Sequence, residues 1–317
     1  MKKYCLSGYY GFSNTGDEAI LQAVRQQLQP DVVTVLSKDN RFNIKAILDC
    51  DIFISGGGGL FQDTTSSRSF YYYIFLLRLA QLFGKKTCVL SQSIGPLKSS
   101  LNRRILKKAL LKTNILSVRD LASVELLRQI GVPESKIIKS ADPTFLLRTP
   151  NAQRRTQSNP FLGVSVRRGE FDERAVAMAL DSFKNKYHAE ILFIPFQVPQ
   201  DVEASKKIIS LMKTEAGLVT SPHSPQEILK LIGEMDLFLG MRLHSLIFAC
   251  INSVPMTGIP YDPKVSSFLE EAGQSVFSPD CLEQIWVDRE KIKAKLSKNL
   301  GRMRDQAWKP FNSLCKL

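Results

Sequence analysis

The chain has only three histidines, at 188, 223 and 244, and its six cysteines (5, 50, 88, 250, 281 and 315) show no C-x-x-C spacing. Without a spaced set of His, Cys or Glu, no catalytic metal is expected. The first four cysteines fall in apolar segments, where cysteine acts as a small core residue, and the pattern fits a reducing cytoplasm. Long apolar runs are absent as well. The longest, Phe70 to Phe83, is interrupted by Arg78 and Gln81 and falls short of the roughly 20 residues a bilayer span needs. The start, Met1-Lys2-Lys3 and then a short glycine-interrupted run to Tyr10, lacks a small-residue cleavage site, so no signal peptide is expected. The first glycine-bearing loop, Gly8 to Glu18, fits neither G-x-G-x-x-G nor the Walker A pattern, which disfavours NAD and P-loop nucleotide chemistry. No nucleic-acid motif is present, and nucleic acid is not expected as a partner.

What is present points to an α/β chain of two domains. A length of 317 residues with 44% apolar composition exceeds one usual core. The formal charge of +13 implies acidic partners, and charge alone does not choose among nucleic acid, anionic lipid and phosphorylated small molecules. Strand-like runs at Tyr4 to Gly8, Ile52 to Ser55, Thr87 to Ser91 and Ile115 to Val118 each lead through a polar or glycine loop into a helix-like run, the pattern of a parallel sheet covered by helices. Arg148 to Pro160, polar and proline-bounded, reads as a linker. The alternation restarts with strand Phe161 to Val166, helix Glu173 to Tyr187, strand Ile191 to Pro195 and helix Val202 to Lys213. Ser224-Pro225-Gln226-Glu227 is a capping box that starts helix Pro225 to Gly233. The expected domains are 1–150 and 151–317, both Rossmann-like, the second ending in a basic helix from Asp288 onward.

Three loops carry the expected chemistry. Asp236 to Leu239 reads as a strand, so Arg242 and His244 fall on its turn into the next helix. Val254 to Ile259 is the following strand and Lys264 lies after it, while Phe161 to Val166 runs into Arg167. In open parallel sheets ligands bind outside the carboxyl ends of the strands, and helix amino termini add positive field there. Arg167, Arg242, His244 and Lys264 therefore form an expected anion site, with His244 suited to proton transfer. Neither Arg242 nor His244 reads as a core position, so replacing either is expected to leave the fold intact. Gly56 to Gly59 follows a strand and suits close backbone approach to a ligand. Asp17 and Glu18 stand in the first turn of a helix, where they either stabilise its start or serve a sugar hydroxyl, with Asn14 and Gly16 setting the turn. Asp49-Cys50-Asp51 precedes its strand and reads as structural.

Seven blocks in order, GYYGFSNTGDEA at 8–19, DIFISGGGGLFQD at 51–63, SQSIGP at 91–96, SVRD at 117–120, ADPTF at 141–145, GMRLHSLIFA at 240–249 and GIPYDPKV at 258–265, resemble the polysaccharide pyruvyl transferase family, in particular its CsaB-type bacterial cell-wall members. The resemblance implies a GT-B-like fold, with two Rossmann-like domains facing across a cleft. It implies phosphoenolpyruvate as donor, no cofactor, and a pyruvate ketal formed on a hexose of a cell-wall polysaccharide or its lipid-linked precursor. Arg242, His244 and Lys264 match the family's donor residues, and Arg167 is taken as its further arginine. The acceptor side is assigned to 1–150 through Asn14, Gly16, Asp17, Gly57, Gly58 and Gln92, with Asp17 activating a hydroxyl. Such an enzyme is expected in the cytoplasm, touching the inner membrane face reversibly through Arg103, Arg104, Lys107, Lys108 and Lys112, unless Leu101, Ile105 and Leu106 simply pack on the core. Two other readings remain open: a GT-B glycosyltransferase using a nucleotide-sugar donor, and a non-catalytic polyanion-binding protein at the membrane surface.

Overall fold

A computed structural model describes residues 1–64, 66–149, 159–221 and 223–317. Most of the expected linker, at 150–158, lies outside the described residues. The chain divides into two compact units: Met1–Phe12, Asp17–Leu147 and Met303–Leu317 form unit 1, while Ser13–Gly16 and Arg148–Arg302 form unit 2. The expected boundary at 150/151 misses two exchanges. Four residues of the first loop belong to unit 2, and the end of the terminal helix belongs to unit 1.

Unit 1 runs β1 (Lys3–Ser7), α1 (Thr15–Gln27), β2 (Val32–Leu36), α2 (Ile44–Asp49), β3 (Ile52–Ser55), α3 (Ser67–Leu82), β4 (Lys86–Gln92), α4 (Ser100–Leu111), β5 (Ile115–Val118), α5 (Leu121–Gln129) and β6 (Ile137–Lys139). Its six strands pair in the order β2-β1-β3-β4-β5-β6, all parallel. Every residue of β3 and β5 is buried, as strands covered by helices on both faces require. Helix α1 begins at Thr15 and carries Asp17 and Glu18 in its first turn, as expected.

Several sequence blocks are braces within this unit. The carboxylate of Asp63 accepts hydrogen bonds from Lys98 N, Ser99 N and Asn102 Nδ2. Burial alone would raise its pKa, but these bonds hold it below the usual carboxylate range. Asp120 caps α5 by accepting from Ser123 N. Arg119 of the SVRD block forms a salt bridge with Asp142 of the ADPTF block, both side chains being almost fully buried.

Unit 2 continues with β7 (Phe161–Ser165), α6 (Glu173–Tyr187), β8 (Glu190–Phe193), α7 (Gln200–Leu211), β9 (Gly217–Leu218), α8 (Pro225–Gly233), β10 (Leu237–Gly240), α9 (Leu243–Ile251), β11 (Met256–Gly258), α10 (Pro263–Ala272), β12 (Ser275–Val276), α11 (Cys281–Val287) and α12 (Arg289–Leu314). Its sheet has the order β12-β11-β10-β7-β8-β9 and is again parallel throughout. The capping box forms as expected: Ser224 Oγ accepts from Glu227 N, and the Glu227 carboxylate accepts from Ser224 N.

In both sheets the chain reverses its direction of strand addition. It moves from β1 outward to β2 and returns to place β3 on the other side of β1; likewise it moves from β7 through β8 and β9, then returns to place β10 beside β7. Each reversal leaves a crevice at the carboxyl ends of two neighbouring strands, where loops diverge to opposite sides.

Candidate functional site

The crevice of unit 2 lies between the ends of β7 and β10, and four adjacent parallel strands, β11, β10, β7 and β8, deliver side chains to that edge. Arg167 follows β7 by two residues and is half-buried, with its Cζ 4.3 Å from the centre of the Tyr261 ring. Tyr261 lies in the loop after β11. This cation–π contact sets the guanidinium over an aromatic face. Lys264 stands in the first turn of α10, where its backbone N–H bonds to the Asp262 carboxylate at 2.9 Å and its side chain is half-buried.

Arg242 is the residue immediately before α9, and its guanidinium is not presented as a solitary cation. Nε donates to Asp201 Oδ2 at 2.9 Å, while Nη2 donates to Asp201 Oδ1 at 2.6 Å and to Gln197 Oε1 at 2.9 Å. Asp201 is fully buried at the start of α7, and its Oδ2 also accepts from Phe196 N and Gln197 N. The expectation that Arg242 is dispensable for folding is therefore corrected: its side chain is 14% exposed and neutralises a carboxylate of 0% exposure. Removing one partner of such a pair strands the other in a low-dielectric interior.

The same loop receives the amino-terminal segment. Asn14 pairs with Gln197 in an antiparallel bridge, Thr15 N donates to Phe196 O at 2.9 Å, and the Asn14 side chain accepts from Gly16 N at 3.0 Å. Gly16 then lies against the imidazole of His244, in the first turn of α9: a Cβ on Gly16 would come within 2.1 Å of His244 Nδ1. Asn14 and Gly16, expected on the acceptor side of domain 1, are thus built into unit 2 beside His244. Gln197, Asp201 and Tyr261 escaped the sequence reading. The strand-end rule that found Arg242 applies equally to the loop after β8, and would have flagged Gln197 and Asp201.

In unit 1 the corresponding crevice, between β1 and β3, is filled by the chain itself. Tyr10 is 1% exposed, and its ring lies where a side chain on Gly8 or Gly56 would be: a Cβ on Gly8 would fall 2.3 Å from Tyr10 Cζ, and one on Gly56 would fall 2.2 Å from its hydroxyl. Burial, with the nearby Asp17 carboxylate, pushes the phenol well above its ordinary pKa. Gly57 packs on Ile20, and Gly58, at φ +91°, lies 3.0 Å in projected Cβ distance from Asp17 Oδ1. Gly56 to Gly58 are buried, so this run serves close packing and brings Asp17 against the loop. Gln92 is fully buried, its Nε2 donating to Ser55 Oγ and Gly56 O at 2.7 Å each. The acceptor assignment of Gly57 and Gln92 is corrected accordingly: both brace the loop after β3. Asp17 and Gly58 remain together at this edge. Among the described residues no three His, Cys, Asp or Glu side chains are grouped as metal ligands.

Compared with known families, residues 14–263 match the model of the polysaccharide pyruvyl transferase family. The chain belongs to this family. The family match includes Asn14, Gly16, Asp17, Arg167, Arg242 and His244 and ends one residue before Lys264. Over 237 residues it is 21% identical to the amylovoran biosynthesis protein AmsJ of Erwinia amylovora, covering 63% of this chain and 55% of AmsJ. The chain thus spans little more than half the length of this curated relative. Among solved structures it is similar to S. aureus MnaA bound to UDP, with a TM-score of 0.64 at 10% identity over 94% of this chain and 91% of that one. It is equally similar to the UDP-GlcNAc 2-epimerase of Neisseria meningitidis bound to UDP-GlcNAc, with a TM-score of 0.64 at 11% identity over the whole of both chains. Anabaena HepE in complex with UDP-glucose gives 0.60 at 10% identity over both full lengths. At such identities these likenesses speak to the fold, which is GT-B-like with two parallel-sheet α/β domains.

Proposed function

We propose that the enzyme transfers pyruvate from phosphoenolpyruvate, as a ketal, onto a hexose of a polysaccharide or of its lipid-linked precursor, releasing phosphate. The observation that carries this reading is the row of strand ends in unit 2, where Arg167, Arg242, His244 and Lys264 follow three neighbouring parallel strands. A donor with a carboxylate and a phosphate suits guanidinium edges and an ammonium. Unit 2 is accordingly read as the donor side and unit 1, with Asp17 and Gly58, as the acceptor side.

In this mechanism the methylene carbon of phosphoenolpyruvate gains a proton and becomes the methyl group, leaving an oxocarbenium-like C2. One sugar hydroxyl attacks C2 and loses its proton; a second hydroxyl then forms the other C–O bond as the C–O bond to phosphate breaks, its proton passing to the departing phosphate. His244, held against Gly16, is the acid-base group. Arg167 and Lys264 neutralise the donor and the leaving phosphate, and Arg242 contributes one Nη1 edge while positioning the β8–α7 loop. Asp17 is the candidate for receiving a hydroxyl proton.

The UDP and UDP-sugars bound by the similar structures support a second reading, a nucleotide-sugar donor. Incubation of the enzyme and a lipid-linked saccharide acceptor with phosphoenolpyruvate, or with a set of UDP-sugars, separates the two. One added pyruvate ketal by mass spectrometry, with stoichiometric phosphate, is the expected result. Sugar addition with release of UDP would replace it, and no product with any donor would favour a non-catalytic polyanion-binding role.

A further inference from the structure

Between Thr64 and Arg119 the chain contains eleven lysines and arginines and no aspartate or glutamate. Nearly all the surplus charge of the molecule, +13 overall, is therefore matched by one continuous stretch of 56 residues, which builds α3, β4, α4 and β5. Because β3, β4 and β5 are added successively in one direction, right-handed crossovers put α3 and α4 on the same face of the sheet. The two helices pack together: Tyr71 Oη donates to Asn102 Oδ1 at 2.8 Å and Gln81 Nε2 donates to Ala109 O at 2.9 Å.

Their outward surfaces do not read as ordinary solvated faces. On α3 the exposed positions Arg68, Tyr71, Phe75, Arg78 and Leu82 recur at alternating spacings of three and four, which is one stripe of a helix. On α4 the exposed Leu101, Arg104, Lys108 and Leu111 follow the same rule. The apolar members are well out in solvent: Leu82 is 79% exposed, Leu101 57% and Phe75 50%, and Phe83, which follows α3, is 51% exposed. The opposite side of α3, with Phe70, Tyr73, Ile74, Leu77 and Ala80, is already buried in the core, so the outer stripe, apart from the Tyr71 hydroxyl bonded to Asn102, is not needed for packing. Leu101, offered by the sequence as a core residue, points outward instead, whereas Leu106 is buried. Arg103 is engaged with the Leu97 carbonyl through Nε and Nη2 and leaves the outward set to Arg104, Lys108 and Lys112.

We infer that the outer face of α3 and α4 is a docking surface for an anionic lipid bilayer, with Tyr71, Phe75, Leu82, Phe83 and Leu101 entering the interface and Arg68, Arg78, Arg104 and Lys108 meeting the headgroups. Cations and large apolar side chains alternating on one face suit a membrane interface, which offers phosphate and acyl chain within a few ångströms of one another. A second copy of the chain is disfavoured, since an isologous contact would oppose cation to cation. A nucleic acid would satisfy the arginines and lysines but leave Leu82 and Leu101 without apolar partners. The surface deepens the lipid-linked acceptor reading, on which it rests only for its purpose; the docking itself is measured without substrate, so either can fail alone.

The test is co-sedimentation of the full chain with vesicles of phosphatidylcholine, with and without phosphatidylglycerol, at low and high salt. Binding is expected only with phosphatidylglycerol and is weakened by salt. Arg104→Gln with Lys108→Gln should weaken it by roughly fivefold per cation, and Phe75→Ser with Leu82→Ser by on the order of tenfold. These residues are exposed, so each variant should keep the wild-type unfolding midpoint. Phe75→Trp should show an emission blue shift on vesicle addition beyond that of the native Trp286 and Trp308. The inference is overturned by absence of binding to anionic vesicles, by binding indifferent to all four substitutions, or by bound Phe75→Trp protein with unshifted emission. Equal binding to a DNA duplex, sensitive to the cationic variants and indifferent to the apolar ones, would reassign the face to polyanions and also overturn it.

Discussion

Arg242 and Asp201 meet in a two-pronged contact, Nε to Oδ2 at 2.9 Å and Nη2 to Oδ1 at 2.6 Å, that ties the turn after β10 to the start of α7. The carboxylate also accepts the backbone amides of Phe196 and Gln197, so one buried group orders the loop that receives Asn14 and sets the arginine edge in the crevice. Arg242→Ala should therefore lower both activity and stability, the latter by about 3–5 kcal/mol, read from urea unfolding. A wild-type midpoint in this variant would show that Asp201 does not depend on the arginine. Arg242→Lys keeps charge but loses the fork, and should fall between.

Gly16 and His244 give a second, independent test. Because a Cβ at Gly16 would overlap the imidazole, at 2.1 Å from Nδ1, Gly16→Ala should displace the ring and reduce turnover by roughly a hundredfold. His244→Ala should abolish it. Unchanged turnover and pH dependence in both variants would remove His244 from proton transfer.

Arg167 lies on Tyr261, and Tyr261→Ala should free the guanidinium and raise the phosphoenolpyruvate KM by a few-fold, in line with the about 0.5–1 kcal/mol of an exposed cation–π contact. Lys264→Met keeps the aliphatic stem and removes the charge; its donor KM should rise more than its acceptor KM. Steady-state kinetics varying each substrate decide the matter, and equal effects on both would move Lys264 out of the donor pocket.

Tyr10 fills the unit 1 crevice with a hydroxyl that is buried and has no hydrogen-bond partner among the described residues. Tyr10→Phe should be neutral or slightly stabilising, since it deletes an unsatisfied polar atom. Gly56→Ala, whose Cβ would fall 2.2 Å from that hydroxyl, should destabilise by about 1–3 kcal/mol through overpacking. Thermal unfolding of the two variants and of the double variant would test the shared space, and an additive double variant would contradict it.

Asp63 and Asp181 set an acid limit on stability. In each, burial favours the neutral acid, but hydrogen bonds to the carboxylate outweigh it and the folded pKa lies below the unfolded one: Lys98, Ser99 and Asn102 donate to Asp63, and Lys213 and Thr214 to Asp181. Their contribution is fully present above the unfolded value of about 3.9 and is lost as pH falls from there through the folded value. Asp63→Asn and Asp181→Asn should therefore flatten the loss of stability below about pH 4, measured by urea midpoints across the acid range. Parallel curves for variants and wild type would contradict it.

Features set by neighbours in the sequence were legible in advance. The helix Glu173–Tyr187 and the capping-box helix Pro225–Gly233 form with the expected bounds, because caps and apolar periodicity act within a turn or two of chain. The parallel α/β architecture followed from the alternation of strands and helices, and the strand-end position of Arg167, Arg242, His244 and Lys264 followed with it. Only the tertiary structure decided what those positions touch. Arg242 and Asp201 are 41 residues apart, Gly56 is far along the chain from Tyr10, and Ser13–Gly16 leave the sheet unit that surrounds them in sequence. Such contacts arise from the order in which strands join the sheet, a property of long-range pairing that no local pattern encodes. The all-cationic stretch was present in the sequence, but its reading as an outward face required knowing which sides of α3 and α4 the core had already covered.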